Sequence, residues 1–170
     1  MQYVFHYAPG NYLPSMIGSG VVRPSNADDP QTVPAVWFSA DQRWEPTATK
    51  MINTPSGLHK LSLYEQQRHY GCVRFALPAG DARLMDWKAA SRVIGFSRDV
   101  RRAMEGAGRR LGASPLNWFA ALCAFSLDEL CFQVLCADGR WHGSTPQSTL
   151  EAWRASSAFA WATTGEAVRV

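Results

Sequence analysis

Tyr3-Val4-Phe5-His6-Tyr7-Ala8-Pro9-Gly10-Asn11-Tyr12-Leu13-Pro14-Ser15-Met16-Ile17-Gly18-Ser19-Gly20-Val21-Val22-Arg23-Pro24-Ser25 is the stretch from which a fold can be read. Tyr3 to Tyr7 is a β-prone run of aromatic and β-branched side chains that carries one imidazole. Gly10 and Asn11 break it, and a short apolar segment (Tyr12, Leu13, Met16, Ile17) follows, ended by Gly18-Ser19-Gly20. Val21-Val22 opens a second extended run that Pro24-Ser25 closes. The unit reads strand, brief helix, strand. His6, a group that titrates near physiological pH, sits at the exit of the first strand, where folds tend to place their chemistry.

Composition bounds what the rest can be. A chain of 170 residues is most simply one domain, residues 1–170, long enough to bury a substantial core. An apolar share of 46% and a charged share of 18% fit a folded globular protein rather than a disordered one. The balance of 17 Lys and Arg against 14 Asp and Glu is too small to argue for nucleic-acid binding by itself. Arg98, Arg101, Arg102, Arg109 and Arg110 cluster, but Asp99 and Glu105 interleave with them, as on a solvated helix face. Cys72, Cys123, Cys131 and Cys136 form no C-x-x-C pair and no metal spacing; three lie in an apolar region, which suits buried thiols in a reducing compartment. No signal-peptide pattern opens the chain and no apolar run approaches a membrane span, so a cytoplasmic protein is expected.

Further along, Ser25 to Pro34 is a turn-rich loop with two prolines and paired aspartates, and Ala35-Val36-Trp37-Phe38-Ser39 reads as a central strand. Asp41 to Thr47 and Lys50 to Gly57 read as loops, and Leu58 to Tyr64 as a strand or a turn. Cys72 to Pro78 is a strand whose apolar run is interrupted by Arg74, which either snorkels at an edge or faces a cleft. Asp86 to Ser91 predicts a short helix. Ser97 to Leu111 predicts the clearest helix, with Ser97 as N-cap, Val100, Met104 and Leu111 as an apolar stripe, and Gly112 as stop. Pro115 to Leu122 fits helix or strand, and Ser126 to Leu130 a turn or a single helical turn. Cys131 to Cys136 is a strand leading through Ala137-Asp138-Gly139-Arg140, a hairpin signal, to Trp141. A last helix is expected from about Thr149 to Trp161, carrying Leu150, Trp153, Phe159 and Trp161. His59, His69 and His142 have no pattern and are expected on the surface, Trp141 and Trp153 in the core. Short strands and helices without βαβ alternation give an α+β class. The sequence has no G-x-G-x-x-G, no P-loop, no G-x-S-x-G and no H-E-x-x-H.

The ordered set H-Y at the end of strand one, N-Y-L-P-S-M-I-G-S-G-V-V-R-P-S after it, and V-W-F-S on a later strand resembles the amino-terminal part of ADP-ribosyltransferase-like proteins, among them RNA 2′-phosphotransferases and DarT-type toxins. The likeness covers roughly the first fifty residues and beyond them rests on element order. It implies a split, twisted two-sheet α+β core with short peripheral helices and NAD, as substrate, in the cleft. His6 would then hydrogen-bond the ribose beside nicotinamide while an oxocarbenium-like centre forms. Tyr7 would add ring surface or a phenolic hydrogen bond. Trp37, Phe38 and Ser39 would flank the nicotinamide, and Arg74 would contact the diphosphate.

In this group a glutamate on a late strand stabilises the ribosyl cation, and the matching stretch, Asn117 to Leu122, offers Asn117 instead. Asn117 can bind a ribose hydroxyl but supplies no charge. Either Glu45 in R-W-E-P-T or Glu129 takes that role, or the activity is lost. The resemblance thus implies an NAD-dependent transferase that moves ADP-ribose to a macromolecular acceptor, a protein rather than nucleic acid. The alternative is an inert scaffold of the same fold that acts as a protein-binding module or inhibitor. RNA 2′-phosphate transfer would require several basic side chains converging on one phosphate, a set the sequence does not offer.

Overall fold

The β-prone run Tyr3–Pro9 makes β1, buried on both faces: Val4, Phe5, Tyr7 and Ala8 are buried while Tyr3 and His6 are half-buried. The computed structural model describes residues 2–26 and 29–156. A single 3-10 turn, Gly10–Tyr12, leads into α1 (Leu13–Ser19) and then β2 (Val21–Val22), the strand–helix–strand order expected of the opening stretch. The later elements are β3 (Val36–Ser39), β4 (Met51–Thr54), β5 (Gly57–Lys60), α2 (Leu63–Tyr70), β6 (Cys72–Pro78) and β7 (Met85–Asp86). Then come α3 (Trp87–Val93), α4 (Arg98–Arg110), β8 (Trp118–Ala121), β9 (Phe125–Ser126), β10 (Cys131–Leu135), β11 (Trp141–Gly143) and α5 (Pro146–Ala155).

Among the described residues the class is mixed α+β: an antiparallel sheet of seven strands, ordered β11-β10-β6-β1-β3-β8-β7, with five helices. Strands β2 with β9 and β4 with β5 make two separate antiparallel pairs. The chain divides into two compact units, one of residues 1–6, 20–47 and 75–131, the other of residues 7–19, 48–74 and 132–170.

The first unit is built on β3. Alternate side chains of a strand face opposite ways. Trp37 stacks on Phe96 (6.2 Å, 6° between planes) and meets Trp87 at 6.0 Å, while Phe38 meets Phe125 edge-on at 5.3 Å. Trp87 and Trp118 cross at 86°, and Ala35, Ala90, Ile94 and Ala120 pack with Trp37, Met85 and Phe96. Helix α4 closes onto this cluster through Gly108, where any Cβ would collide with the Trp118 indole. In the second unit, α2 begins with a capping box: Ser62 Oγ accepts from the Glu65 N–H and Glu65 Oε2 accepts from the Ser62 N–H. It ends at Gly71, whose φ of +67 and contact with the Trp153 indole both exclude a side chain.

Several expectations need correction. Lys50 to Gly57 is no loop: Met51–Thr54 and Gly57–Lys60 form a hairpin, because Thr54 Oγ1 donates to the Gly57 carbonyl across a two-residue turn. Of Leu58 to Tyr64, expected as a strand or a turn, residues 58–60 are strand in β5, whereas Leu63 and Tyr64 open helix α2 behind the Ser62/Glu65 box. Helix α4 and its cap are as expected, with Ser97 Oγ accepting from the Val100 N–H at 3.2 Å. Its apolar stripe is not: Val100 and Leu111 are exposed and Gly108 is the buried residue, since a tight approach to Trp118 leaves no room for a larger one. Cys72 is buried, but Cys123 and Cys131 are exposed, Cys131 lying at the first position of β10. Trp141 and Trp153 are half-buried rather than enclosed. Helix α5 starts three residues earlier than expected, with Thr145 as its cap and Pro146 in its first turn; Ala27, Asp28, Phe159 and Trp161 lie outside the described residues. Among those described, no helix is long and apolar enough to cross a membrane.

Candidate functional site

In the first unit, β1 and β3 bring His6 to the Trp37–Ser39 run, with Phe5 paired to Ser39. The Nδ1 of His6 lies 2.8 Å from the Trp37 carbonyl oxygen. A carbonyl only accepts, so Nδ1 carries the proton and Nε2 is the acceptor of the neutral ring. The imidazole is further seated edge-on against Phe38 at 6.0 Å and tilted over Phe75 at 6.3 Å. Ring and tautomer are thereby set by the β3 backbone.

Beyond β3 the chain turns and returns a carboxylate. Ser39, 1% exposed, donates from Oγ to Glu45 Oε2 at 2.8 Å, and its Oγ accepts from the Asp41 N–H at 3.1 Å. Glu45, 6% exposed, receives Thr47 Oγ1–H at 2.6 Å and Thr47 N–H at 3.1 Å on Oε1. The turn between them is pinned by Asp41 Oδ1, which accepts from the Arg43 and Trp44 N–H groups, and by Gln42 Nε2, which donates to the Tyr3 and Ala40 carbonyls. Asn117 joins through its backbone: its carbonyl accepts from the Ala40 N–H at 2.8 Å. Three neutral donors thus hold the buried Glu45 carboxyl group in one orientation.

Glu129, the other carboxylate considered, is engaged elsewhere. Its Oε2 receives Arg83 Nη1–H at 2.6 Å and its Oε1 caps Ser126, and these bonds hold its carboxyl below the usual range.

No family model, curated protein or solved structure matches this chain. What the site can do follows from its own atoms.

The remaining expected residues, Tyr7 and Arg74, meet in the second unit. Arg74 is 7% exposed; its Nε donates to Gln133 Oε1 at 2.6 Å and its Nη1 to the Tyr7 hydroxyl at 3.4 Å. The guanidinium lies over the Trp141 ring at 4.5 Å and the Tyr7 ring at 5.9 Å, and those two rings sit 5.7 Å apart. Burial draws the guanidinium down from its ordinary pKa, against the pull of the Tyr7 hydroxyl.

The structure thus brings together His6 with Trp37 and Phe38, Ser39 with Glu45, and Tyr7 with Arg74. Trp37 presents its ring to Phe96 and Trp87, and Phe38 is 3% exposed. Sequence reasoning missed Thr47, Gln133 and Trp141. Gln133 had a signal: it interrupts an apolar strand as Arg74 does. Thr47 lies two residues from Glu45, where a hydroxyl can reach back to a loop carboxylate.

Proposed function

We propose that this chain is an NAD-binding protein of ADP-ribosyltransferase-like architecture that transfers ADP-ribose to a macromolecular acceptor in the cytoplasm. The observation that carries the proposal is the His6 imidazole, fixed by the Trp37 carbonyl on the strand that ends in the Ser39–Glu45 pair. In the mechanism, His6 Nε2 accepts a ribose hydroxyl while Nδ1 stays tied to β3. Glu45 supplies the negative charge that an oxocarbenium-like ribose needs as nicotinamide leaves, and Ser39 and Thr47 hold the carboxylate in place. Tyr7 and Arg74, buried against each other in the second unit, take no part in this step. Asn117 stabilises the turn at Ala40 through its backbone.

Calorimetry with NAD on the wild type and on His6→Ala tests the ligand. The wild type should bind and the variant should lose affinity by tenfold or more, about 1.4 kcal/mol. A wild type that binds no NAD ends the proposal.

A second reading has its own observation: Ser39 and Thr47, the residues that bond Glu45, flank the turn it organises, and Trp37 and Phe38 are spent on packing. On that reading the chain is an inert scaffold that grips another protein. Nicotinamide release separates the two, since turnover abolished by Glu45→Gln leaves no place for an inert scaffold.

A further inference from the structure

Helices α3 and α4 and the turns around them carry charge out of proportion to the rest of the chain. Residues 87–112 hold seven Lys and Arg against two carboxylates, a surplus of five, whereas the whole chain has a surplus of three and the remainder is therefore net negative by two. The interleaved acids, Asp99 and Glu105, are the reason the sequence alone reads as a balanced helix surface, and the structure accounts for both. Glu105 Oε1 accepts the Trp87 indole N–H at 2.8 Å, and its Oε2 accepts from Arg109 Nη2 at 3.1 Å. Those bonds hold its carboxyl below the ordinary range, so it is a docking point for Trp87 and one arginine. Asp99 lies in the first turn of α4, where the helix dipole favours an anion.

Arg98, Arg101, Arg102, Arg110, Lys88 and Arg92 are left over. Among the described residues none of the six forms an ion pair. All are exposed except Arg101, which is half-buried and whose Nε is enclosed without a hydrogen-bond acceptor. Arg98 and Arg102 stand one above the other at i and i+4, about 6 Å apart along the axis, as do Lys88 and Arg92 on α3. One side of α4 packs on the Trp87–Trp118 cluster through Met104 and Gly108, while Arg98, Arg102 and Arg110 stay exposed along the helix. Guanidinium forks match phosphate oxygens in geometry, and five of the six are arginines. An anionic lipid surface fits less well: insertion requires an apolar face beside the charges, and the exposed apolar residues here, Val93, Val100 and Leu111, are scattered singly.

From this charge placement we infer that the α3–α4 face docks onto the phosphate backbone of a nucleic acid. Contacts to phosphate position the protein without reading sequence. The inference is independent of NAD binding, because it uses none of the residues assigned to that function.

Fluorescence anisotropy of the full chain with a labelled duplex of about 20 base pairs, titrated from about 50 to 200 mM salt, tests it. Binding is expected at low salt, with log K falling against log salt at a slope of about −3. Arg98→Glu with Arg102→Glu should weaken binding at least tenfold and flatten the slope by about two, while Arg23→Glu, at an exposed position elsewhere in the same unit, should change neither. Circular dichroism melts check the fold, and if the double reversal does not fold, Arg102→Gln with Arg110→Gln should weaken binding in the same direction. No binding at low salt, equal binding by the variants, or tighter binding to phosphatidylserine vesicles than to the duplex would each overturn the inference.

Discussion

Among the described residues each unit encloses one charged side chain, Glu45 in the first and Arg74 in the second, and the two are satisfied by opposite means. Glu45 is held by residues next to it in the chain: Ser39 is six positions away and Thr47 two. Arg74 is held by Gln133 and Tyr7, 59 and 67 positions away, and by the Trp141 ring. Both avoid a charged partner among these contacts and use hydroxyls, an amide and aromatic faces instead. A loop can assemble the Glu45 clasp as it folds. The Arg74 pocket exists only once β6 and β10 are in register, since a slip of one residue would turn Gln133 to the other face. The carboxylate is a local device, and the guanidinium reports on the whole sheet.

Truncating each group separates these roles. The largest effect is expected at Arg74: Arg74→Ala leaves the Gln133 amide and the Tyr7 hydroxyl without their donor and strips the Trp141 face. It should cost about 3 kcal/mol in urea unfolding. Arg74→Lys should recover little, because an ammonium lacks the planar fork. Glu45→Ala should cost less, about 2 kcal/mol, since Thr47 is exposed and water can replace one lost acceptor. Equal losses at the two positions would break the contrast between local and distant satisfaction.

A third measurement sharpens it with a buried group that stays neutral. Burial pushes the Cys72 thiol up to about 12 in spite of the Gln66 Nε2–H donated to its sulfur at 3.6 Å. The unfolded thiol loses its proton near pH 9, so above that pH the unfolded state binds fewer protons and stability falls as pH rises, until the folded thiol itself titrates near 12. Denaturation series at pH 8 and pH 10 should differ by about 1.4 kcal/mol, and Cys72→Ser should remove that difference. Thiol reagent at pH 8 should label the exposed Cys123 and Cys131 and spare Cys72 until the chain unfolds. The smallest effect is the most local one: Ser62→Ala breaks half of the α2 capping box and should cost about 1 kcal/mol in a thermal melt.

Much of the fold was legible where its causes were short-ranged. The opening strand–helix–strand, the Ser97 cap of α4, the Cys72–Pro78 strand and the Asp138-Gly139 hairpin all follow from neighbouring residues. Ser62 and Glu65 are an equally local signal for α2, a hydroxyl followed three residues later by a carboxylate. At the candidate site, His6 and the Trp37–Ser39 strand could be picked out from residue order, and Glu45 from its place after that strand. The tautomer of His6 could not, because it depends on a carbonyl 31 residues away. Nor could the destination of Trp37, whose ring lies against Phe96 and Trp87 in a cluster assembled from three separate segments.

By itself the sequence determined the α+β class, the positions of most strands and caps, and the concentration of arginine around α4, because propensity, capping and charge are properties of adjacent residues. Only the tertiary structure decided which charges are neutralised. It gave Glu105 to Trp87 and Arg109, Glu45 to Ser39 and Thr47, and Arg74 to Gln133, and it left Arg98 and Arg102 in water. The physical reason is that a hydrogen bond or ion pair depends on distances of a few ångströms, and the fold, not chain order, sets those distances.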